Sequence, residues 1–255
     1  MIITSAGNEK IKSVIQLKEK AKVRKKEGCY IVEGSKMVLE APKQDIVQVY
    51  VSESFCKENP QMQKEYSPLV VADNIFKKIS DTVTPQGVLA IVRQRHYSFE
   101  QLMETIREGR NCFVVLDSLR DPGNMGTIIR TGEGAGINGI IMNNTSVDVY
   151  NPKVIRSTMG SIFRVPIVVV EDLPDTIKKL RSEGVVTYAA HLKGGNYSRE
   201  EFAEKTAILI GNEANGLSDE VAAEADKLIK IPMHGKVESL NAAVATSILM
   251  YQIMN

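Results

Sequence analysis

The sequence predicts an α/β protein in two parts: a smaller α/β domain over residues 1–95 and a parallel-sheet α/β domain over residues 112–255. Short apolar strand patterns alternate with helical patterns along the chain, which is typical of α/β folds. In the second half the strand patterns are continuously apolar, as expected for a parallel sheet covered by helices on both faces. A chain of 255 residues, 43% of them hydrophobic, is long enough to bury two such cores.

The first half begins with a helix that Asn8 is suited to cap, because apolar residues recur at helical spacing from residue 11 to residue 17. A turn over residues 84–87 leads into the last strand of this half. Strands are predicted over residues 29–33, 46–52, 69–71 and 88–94, and further helices over residues 35–41 and 73–80. Residues 96–111 are mostly polar with one helical pattern, and we interpret them as a linker.

The second half alternates strands and helices more regularly. Asn151 followed by Pro152 favours a helix start, Gly184 favours a helix end, and Ser218 is suited to cap a further helix. Strands are predicted over residues 113–117, 139–142, 165–170, 185–190, 206–211 and 228–231. Helices are predicted over residues 124–136, 152–159, 173–183 and 219–225, and from about Leu240 to the end.

The net charge of +1 conceals a basic N-terminal segment, since residues 1–26 hold 8 basic and 2 acidic side chains. This segment favours a polyanionic partner, although a solvated, lysine-rich helix face gives the same pattern. No run approaches the roughly 18 apolar residues of a membrane span, and no signal peptide is visible. The cysteines and histidines are too scattered for a disulfide framework or a metal site, so a reducing cytoplasm is expected.

One short motif points to a dinucleotide site but stands in the wrong context. Gly134, Gly136 and Gly139 satisfy the GxGxxG pattern, which binds phosphate when a strand precedes it and a helix follows. Here a helical pattern precedes the glycines and a strand pattern follows them. We therefore expect these glycines to end a helix and to allow a tight turn into the next strand.

Residues 117–131, D-S-L-R-D-P-G-N-M-G-T-I-I-R-T, carry the first group of polar candidates. A strand ends at Asp117, a helix opens at Asn124, and Arg130 follows slightly less than two turns later, roughly on the same side. An amide and a guanidinium near the carboxyl end of a strand are suited to hold an anion or a hydroxyl. Alternatively, Asn124 is a helix cap and Arg130 is a surface ion-pair partner.

Two further stretches follow the same plan. In residues 207–218, A-I-L-I-G-N-E-A-N-G-L-S, an apolar strand runs into Gly211 and Glu213, which suits a pocket floored by backbone as well as an ordinary turn. In residues 229–248, a strand breaks at a proline and Ser239 and Asn241 start a mostly apolar helix. That helix is buried in its own core or against another subunit, and Ser239 could be only its cap.

Together these stretches resemble one family. N-M-G-x-x-x-R-T, L-I-G-N-E-x-x-G-L-S and I-P-M-x-G-x-V-x-S-L-N-A-x-V-A look like the three motifs of the SPOUT-class, TrmH/SpoU-like RNA ribose 2′-O-methyltransferases. The resemblance covers roughly residues 112–255. Residues 1–95, with T-P-Q-G-V-L-A-I near their end, look like the α/β RNA substrate-binding domain that precedes the catalytic domain in many members.

The resemblance implies several properties of this chain. It implies a parallel sheet with a trefoil knot, S-adenosylmethionine bound in that knot, and a homodimer. Neither a metal nor a membrane is expected as a partner, given the scattered histidines and cysteines and the short apolar runs. The family's cofactor positions fall on Gly211, Ile231 and Leu240. Its functional polar positions, which we expect to be catalytic, fall on Asn124, Arg130, Glu213, Ser239 and Asn241.

The expected chemistry is methyl transfer to a ribose hydroxyl, which depends on alignment of oxygen, carbon and sulfur more than on acid catalysis. A guanidinium with a pKa above about 12 is a poor general base, so we expect Arg130 to grip a neighbouring phosphate and to position the 2′-oxygen. Glu213 and Asn124 would fix the orientation of Arg130, and Ser239 and Asn241 would line the methyl-transfer site. Ribosomal RNA, and 23S rRNA in particular, is favoured over tRNA as the substrate.

A non-catalytic RNA-binding or ribosome-assembly factor on the same fold is the alternative. The complete set of polar positions argues against it, because a binding protein would not require them. A dinucleotide-dependent oxidoreductase is a weaker alternative, because of the order of elements around the glycines.

Overall fold

The computed structural model describes residues 2–255 and separates into two compact units. The first unit comprises the described residues up to Arg95 together with Asp148–Phe163. The second comprises His96–Val147 and Arg164–Asn255. The units differ from the predicted division in two places, since a segment from the second half joins the first unit and the predicted linker joins the second.

Eleven strands form two sheets among the described residues. In the first unit they are β1 (Ile2–Ile3), β2 (Cys29–Glu33), β3 (Ile46–Ser52), β4 (Leu69–Val71) and β5 (Val88–Arg93). In the second unit they are β6 (Asn111–Leu116), β7 (Gly139–Asn143), β8 (Ile167–Val170), β9 (Val186–Asn196), β10 (Lys205–Ile210) and β11 (Lys227–Lys230).

Twelve α-helices accompany these strands in residues 2–255. The first six, α1 (Glu9–Glu19), α2 (Ala21–Glu27), α3 (Ser35–Glu40), α4 (Glu53–Glu58), α5 (Pro60–Tyr66) and α6 (Asp73–Ile79), belong to the first unit. The others are α7 (Phe99–Met103), α8 (Pro122–Ala135), α9 (Pro152–Thr158), α10 (Leu173–Ser182), α11 (Asp219–Ala223) and α12 (Ala242–Met254). The patterns did not predict α2 as a separate helix, nor the short helices α4 and α5, and they indicated α7 only as one helical pattern within the predicted linker.

The first unit is built on a mixed five-stranded sheet in the order β1-β4-β3-β5-β2. β1, β4 and β3 run parallel, and β5 is antiparallel to both of its neighbours. Asn8 caps α1 by accepting from the Lys10 N–H at 2.9 Å, as predicted. The helix buries Ile11, Val14 and Leu17 in the core of this unit, which fixes its basic residues on the outside.

A buried arginine explains why Asp148–Phe163 belongs to the first unit. The Arg24 side chain is only 3% exposed, and its Nε and Nη2 donate to the Asp148 carboxylate at 2.8 and 2.7 Å. The Tyr30 and Tyr150 ring centroids lie 4.6 Å apart, and the Tyr150 hydroxyl donates to the Arg95 carbonyl. A buried guanidinium requires a counter-charge, and this one comes from a distant part of the sequence.

The predicted linker packs onto the second unit instead of connecting freely. Ser98 and Gln101 form a reciprocal capping box that starts α7. Leu102 on this helix is fully buried in the core of the second unit. Its three apolar residues, in a helix of five residues between polar flanks, are too few to establish a period, which is why the sequence indicated a connector.

The second unit is built on a six-stranded parallel sheet in the order β11-β9-β10-β6-β7-β8, which confirms the predicted parallel sheet. β9 is longer than predicted, and its pairing with β11 shifts register between Ala189 and Gly195, so residues 190–194 lie outside that ladder. The trefoil knot stays a prediction. Within residues 2–255 no helix is long and apolar enough to cross a membrane.

The glycines of the GxGxxG pattern end a helix, as predicted. Gly136 has a φ of 76° and forms the left-handed C-cap of α8, and β7 begins at Gly139. A Cβ on Gly139 would lie 2.7 Å from the Pro166 carbonyl oxygen, so the close strand approach requires glycine. A helix before the glycines and a strand after them contradict a dinucleotide site.

Candidate functional site

A cleft of about 610 Å³ lies in the second unit, where the chain leaves β10 and β11 and enters α12. Three segments line it: residues 190–192 of β9, residues 210–217 after β10, and a stretch from Ile229 to Ala242. The three predicted cofactor residues, Gly211, Ile231 and Leu240, all line this cleft. Glu213, Ser239 and Asn241 also lie on its wall, so six of the eight predicted site residues share one cavity.

Asn124 connects the first motif to the other two. Its Nδ2 donates to Glu213 Oε1 at 3.0 Å, and its Oδ1 accepts from Asn241 Nδ2 at 2.9 Å. Asn124 is 9% exposed and lies in the first turn of α8, whereas Glu213 follows β10 and Asn241 precedes α12. The three motifs are therefore joined by a single amide, which uses both its donor and its acceptor.

Glu213 accepts two further hydrogen bonds, from the backbone N–H groups of Arg120 at 3.2 Å and Asp121 at 3.1 Å. Burial alone would raise the pKa of Glu213, but the hydrogen bonds from Asn124 and from backbone N–H groups outweigh it, so the pKa lies below the usual value. Glu213 is therefore a carboxylate at neutral pH, held as an acceptor.

The structure excludes the simpler interpretations of Asn124 and Ser239 as helix caps. Asp121 caps α8 by accepting from the Asn124 N–H at 2.8 Å, which leaves the Asn124 side chain free for the cluster. Asn241 caps α12 by accepting from the Ala243 N–H at 2.9 Å. The exposed Ser239 hydroxyl makes no hydrogen bond to any residue in 2–255 and faces the cleft.

Arg130 lies on the exposed side of α8, and the structure does not place it beside Asn124 as the spacing suggested. Six residues at 100° each leave the two side chains about 120° apart around the helix axis. Arg130 makes no hydrogen bond or ion pair with any described residue, so Glu213 and Asn124 do not orient it here. Its guanidinium is available to an external anion.

Gly211 lets the loop after β10 fold back tightly. Asn212 and Gly216 exchange two backbone hydrogen bonds of 2.9 Å each, and Gly216 has a φ of 72°. A Cβ on Gly211 would collide with the backbone of Gly216 and Leu217. The glycine therefore permits the turn that brings Glu213 to the cleft.

Sequence reasoning missed three residues that support this site. Asp117, Asn143 and Asn212 stand at the ends of β6, β7 and β10, and their side chains hydrogen-bond the loops between these strands. Polar residues at the carboxyl ends of neighbouring parallel strands were the available signal. In residues 2–255 no group of three or more His, Cys, Asp or Glu side chains could hold a metal ion.

Comparison with known proteins matches two families along the chain. Residues 111–251 match the SpoU rRNA Methylase family, and residues 8–90 match the MRM3-like substrate binding domain. The 23S rRNA (guanosine(2553)-2′-O)-methyltransferase RlmP of Bacillus subtilis is 32% identical over 256 residues, which cover 98% of each chain.

Two solved structures superpose on this chain over almost its full length. An AdoMet-bound rRNA methyltransferase from Sinorhizobium meliloti superposes with a TM-score of 0.86 at 32% identity, covering 99% of this chain and 97% of that one. The methyltransferase AviRb from Streptomyces viridochromogenes, in complex with AdoMet, gives a TM-score of 0.86 at 25% identity, covering 97% of each chain. With three motifs joined at one cleft, a match over residues 111–251 and full-length relatives, this chain belongs to the SpoU rRNA methylase family.

Proposed function

We propose that this protein transfers a methyl group from S-adenosylmethionine to a ribose 2′-hydroxyl of structured RNA. The observation that carries the proposal is the Asn124–Glu213–Asn241 cluster, which ties the three motifs together beside the cleft. The relatives named above support ribosomal RNA, 23S rRNA in particular, as the substrate.

The cleft fits the proposed cofactor in size and in chemistry. Its volume of about 610 Å³ falls in the range of roughly 300–1,000 Å³ that is usual for small-molecule sites. Apolar side chains and loop backbone line it, together with Glu213, Glu238 and Lys230, and side chains of both charges suit a ligand that carries both positive and negative groups. Gly211, Ile231 and Leu240 would hold the cofactor. When bound, it supplies an activated methyl group on a sulfonium.

The chain's own residues would align the acceptor. Glu213, fixed by three hydrogen-bond donors, and Asn124 form a rigid wall beside the cleft. Ser239 offers an unengaged hydroxyl at the same wall. We assign Arg130 to an RNA phosphate next to the target ribose, because an exposed guanidinium that no residue in 2–255 engages is suited to bind phosphate in a bidentate manner.

The remaining expectations extend the proposal to the whole protein. Residues 1–95 are the substrate-binding domain, residues 112–255 the catalytic domain, and the protein works in the cytoplasm as a homodimer. Val244 and Tyr251 on α12 are 48% and 46% exposed, which leaves an apolar surface for a second copy. A tRNA 2′-O-methyltransferase and a non-catalytic assembly factor remain the alternatives.

Labelled S-adenosylmethionine incubated with total RNA from a strain lacking this protein tests the proposal. Digestion to nucleosides followed by mass spectrometry is expected to show label on a 2′-O-methylated nucleoside from ribosomal RNA. Label on tRNA would select the tRNA alternative, and label on a base would contradict ribose methylation. Absence of label on free RNA and on ribosomal assembly intermediates alike would favour the non-catalytic factor.

A further inference from the structure

Asp117 is a buried carboxylate behind the site. It follows the end of β6, between the neighbouring strands β10 and β7, and is 5% exposed. Its own N–H donates to the Ile210 carbonyl at 2.8 Å and so continues the strand pairing by one residue. The side chain therefore stands where three strands of the sheet give way to loops.

Both oxygens of Asp117 accept two hydrogen bonds. Oδ2 accepts from the Ser218 N–H at 2.9 Å and from the Ser218 hydroxyl at 2.7 Å. Oδ1 accepts from Asn143 Nδ2 at 3.0 Å and from the Ser118 hydroxyl at 3.1 Å. Four donors offset the cost of burying a carboxylate, and they come from the loops after three different strands.

These contacts hold both of the loops that position Glu213. Ser218 closes the 211–218 loop that carries Glu213, and residues 118–121 carry the N–H groups that bind it. Ser118 holds a left-handed φ of 57°, and Asn212 Nδ2 donates to its carbonyl at 2.8 Å. A non-glycine residue stays in that conformation only when its surroundings hold it there.

We propose that Asp117 is a positioning residue for methyl transfer, whose carboxylate locks the 118–121 and 211–218 loops together and thereby places Glu213 and Asn124 at the cleft. This inference rests on the proposed function for its catalytic consequence. Asp117 lies behind the cluster and acts through Glu213.

The Asp117→Asn variant keeps the shape of the side chain but replaces one accepting oxygen with a donor, which then faces the Ser218 N–H or the Asn143 amide donor, so at least one of the four hydrogen bonds is lost. Misplacement of the cluster is expected to lower kcat about 10²-fold. The rate is measured at saturating substrate concentrations and at a temperature well below the midpoint of thermal unfolding. If the loss acts through Glu213, the same change in a Glu213→Gln background lowers kcat by less than about threefold. A double variant whose loss of kcat equals the product of the two single losses would overturn the proposal.

Asp226→Asn is the matched control. Asp226 Oδ2 accepts from the Thr187 N–H and hydroxyl at 2.9 and 2.8 Å, the same pairing that Asp117 makes with Ser218, but away from the cluster. This variant is expected to keep kcat within about twofold of the wild type, because it removes a similar hydrogen bond without touching Glu213. An equal loss of kcat in both variants would show a general structural effect and contradict the proposal.

Amide hydrogen exchange gives a readout that does not depend on turnover. Asp117→Asn is expected to speed exchange at the Arg120 and Asp121 amides, whereas Asp226→Asn speeds exchange at Thr187 only. Unchanged exchange at Arg120 and Asp121 would overturn the positioning role even if the wild type methylates no RNA, so the two proposals can fail separately. If Asp117→Asn does not fold, Asn143→Ala removes the hydrogen bonds of this amide to Asp117 and to Ser118. It is expected to give the same exchange pattern with about a tenfold loss of kcat.

Discussion

At the scale of single residues, the cluster is organised by donors and acceptors that match. Asn124 presents its NH₂ to a carboxylate and its oxygen to a second amide, so its orientation is fixed from both sides. An aspartate at this position would place two carboxylates about 3 Å apart and lose the donor. Asn124→Asp therefore breaks the hydrogen bond between residue 124 and Glu213 without changing the volume of the side chain.

Arg130→Lys tests whether the guanidinium binds phosphate as a fork. Lysine keeps the positive charge but offers a single point of contact, so we expect kcat/KM for RNA to fall about tenfold or more while cofactor affinity stays unchanged. Steady-state kinetics and calorimetric titration with the cofactor measure the two quantities. Near-full turnover in the variant would contradict the bidentate role.

The lowered pKa of Glu213 predicts how the free energy of unfolding depends on pH. Because its pKa is lowered in the folded state, its ionised form stabilises the fold above the unfolded pKa of about 4.3, and this contribution disappears as the pH falls through the lowered folded pKa. The stability difference between wild type and Glu213→Gln should thus be present at pH 7 and vanish in acid. Thermal unfolding of both proteins between pH 7 and pH 3 measures it, and a constant difference would contradict the lowered pKa.

At the scale of elements, the loop between β10 and α11 depends on one glycine. Gly211→Ala places a methyl group against the backbone of Gly216 and Leu217, so the loop must move and the cleft must change shape. We expect cofactor affinity to fall at least about tenfold, as for the loss of a well-fitted binding contact. Gly195→Ala is the control, because no atom lies within 4 Å of its added Cβ. Equal cofactor affinities in the two variants would refute the role of the turn.

Helix α2 separates a structural arginine from exposed lysines. Lys22, Lys25 and Lys26 are exposed, whereas Arg24 on the same helix is buried against Asp148 and has to be left intact. Reversing the three lysines to glutamate is expected to weaken RNA binding and to flatten its dependence on salt. Reversing Lys36, Lys57 and Lys64 to glutamate, on α3, α4 and α5, is the matched control, because these three lysines are also exposed. Unchanged affinity across a salt series would exclude α2 from the RNA surface.

At the scale of the whole molecule, the first unit needs a segment that lies far away in the sequence. Asp148→Ala leaves the buried Arg24 guanidinium without its carboxylate, and we expect the free energy of unfolding to fall by about 3 kcal/mol. Equilibrium urea unfolding measures the change. Glu9→Ala removes the exposed partner of Lys12 and should leave the free energy of unfolding near the wild-type value. Equal effects of the two substitutions would contradict a buried, structural Arg24–Asp148 pair.

Local patterns predicted the parallel sheet because continuous apolar strands carry that information in a few neighbouring positions, whereas the cofactor positions were implied only by the resemblance of the three motifs to a family. They did not predict that Asp148 forms an ion pair with Arg24, since that pairing joins residues 124 positions apart. Nor did they predict the orientation of Arg130, or Asp117 as the support of the cluster, which only the packed loops reveal. Short helices such as α4 and α5 carry too few apolar residues for their period to be read.

The most direct test of the account is a map of ribose 2′-O-methylation in ribosomal RNA from cells with and without this protein. We expect one modified ribose to be absent from the deletion strain, restored by the wild-type gene and not restored by Asn124→Asp expressed to the same level. An unchanged map in the deletion strain would contradict methylation of ribosomal RNA by this protein. Full restoration by Asn124→Asp would contradict the role of the cluster.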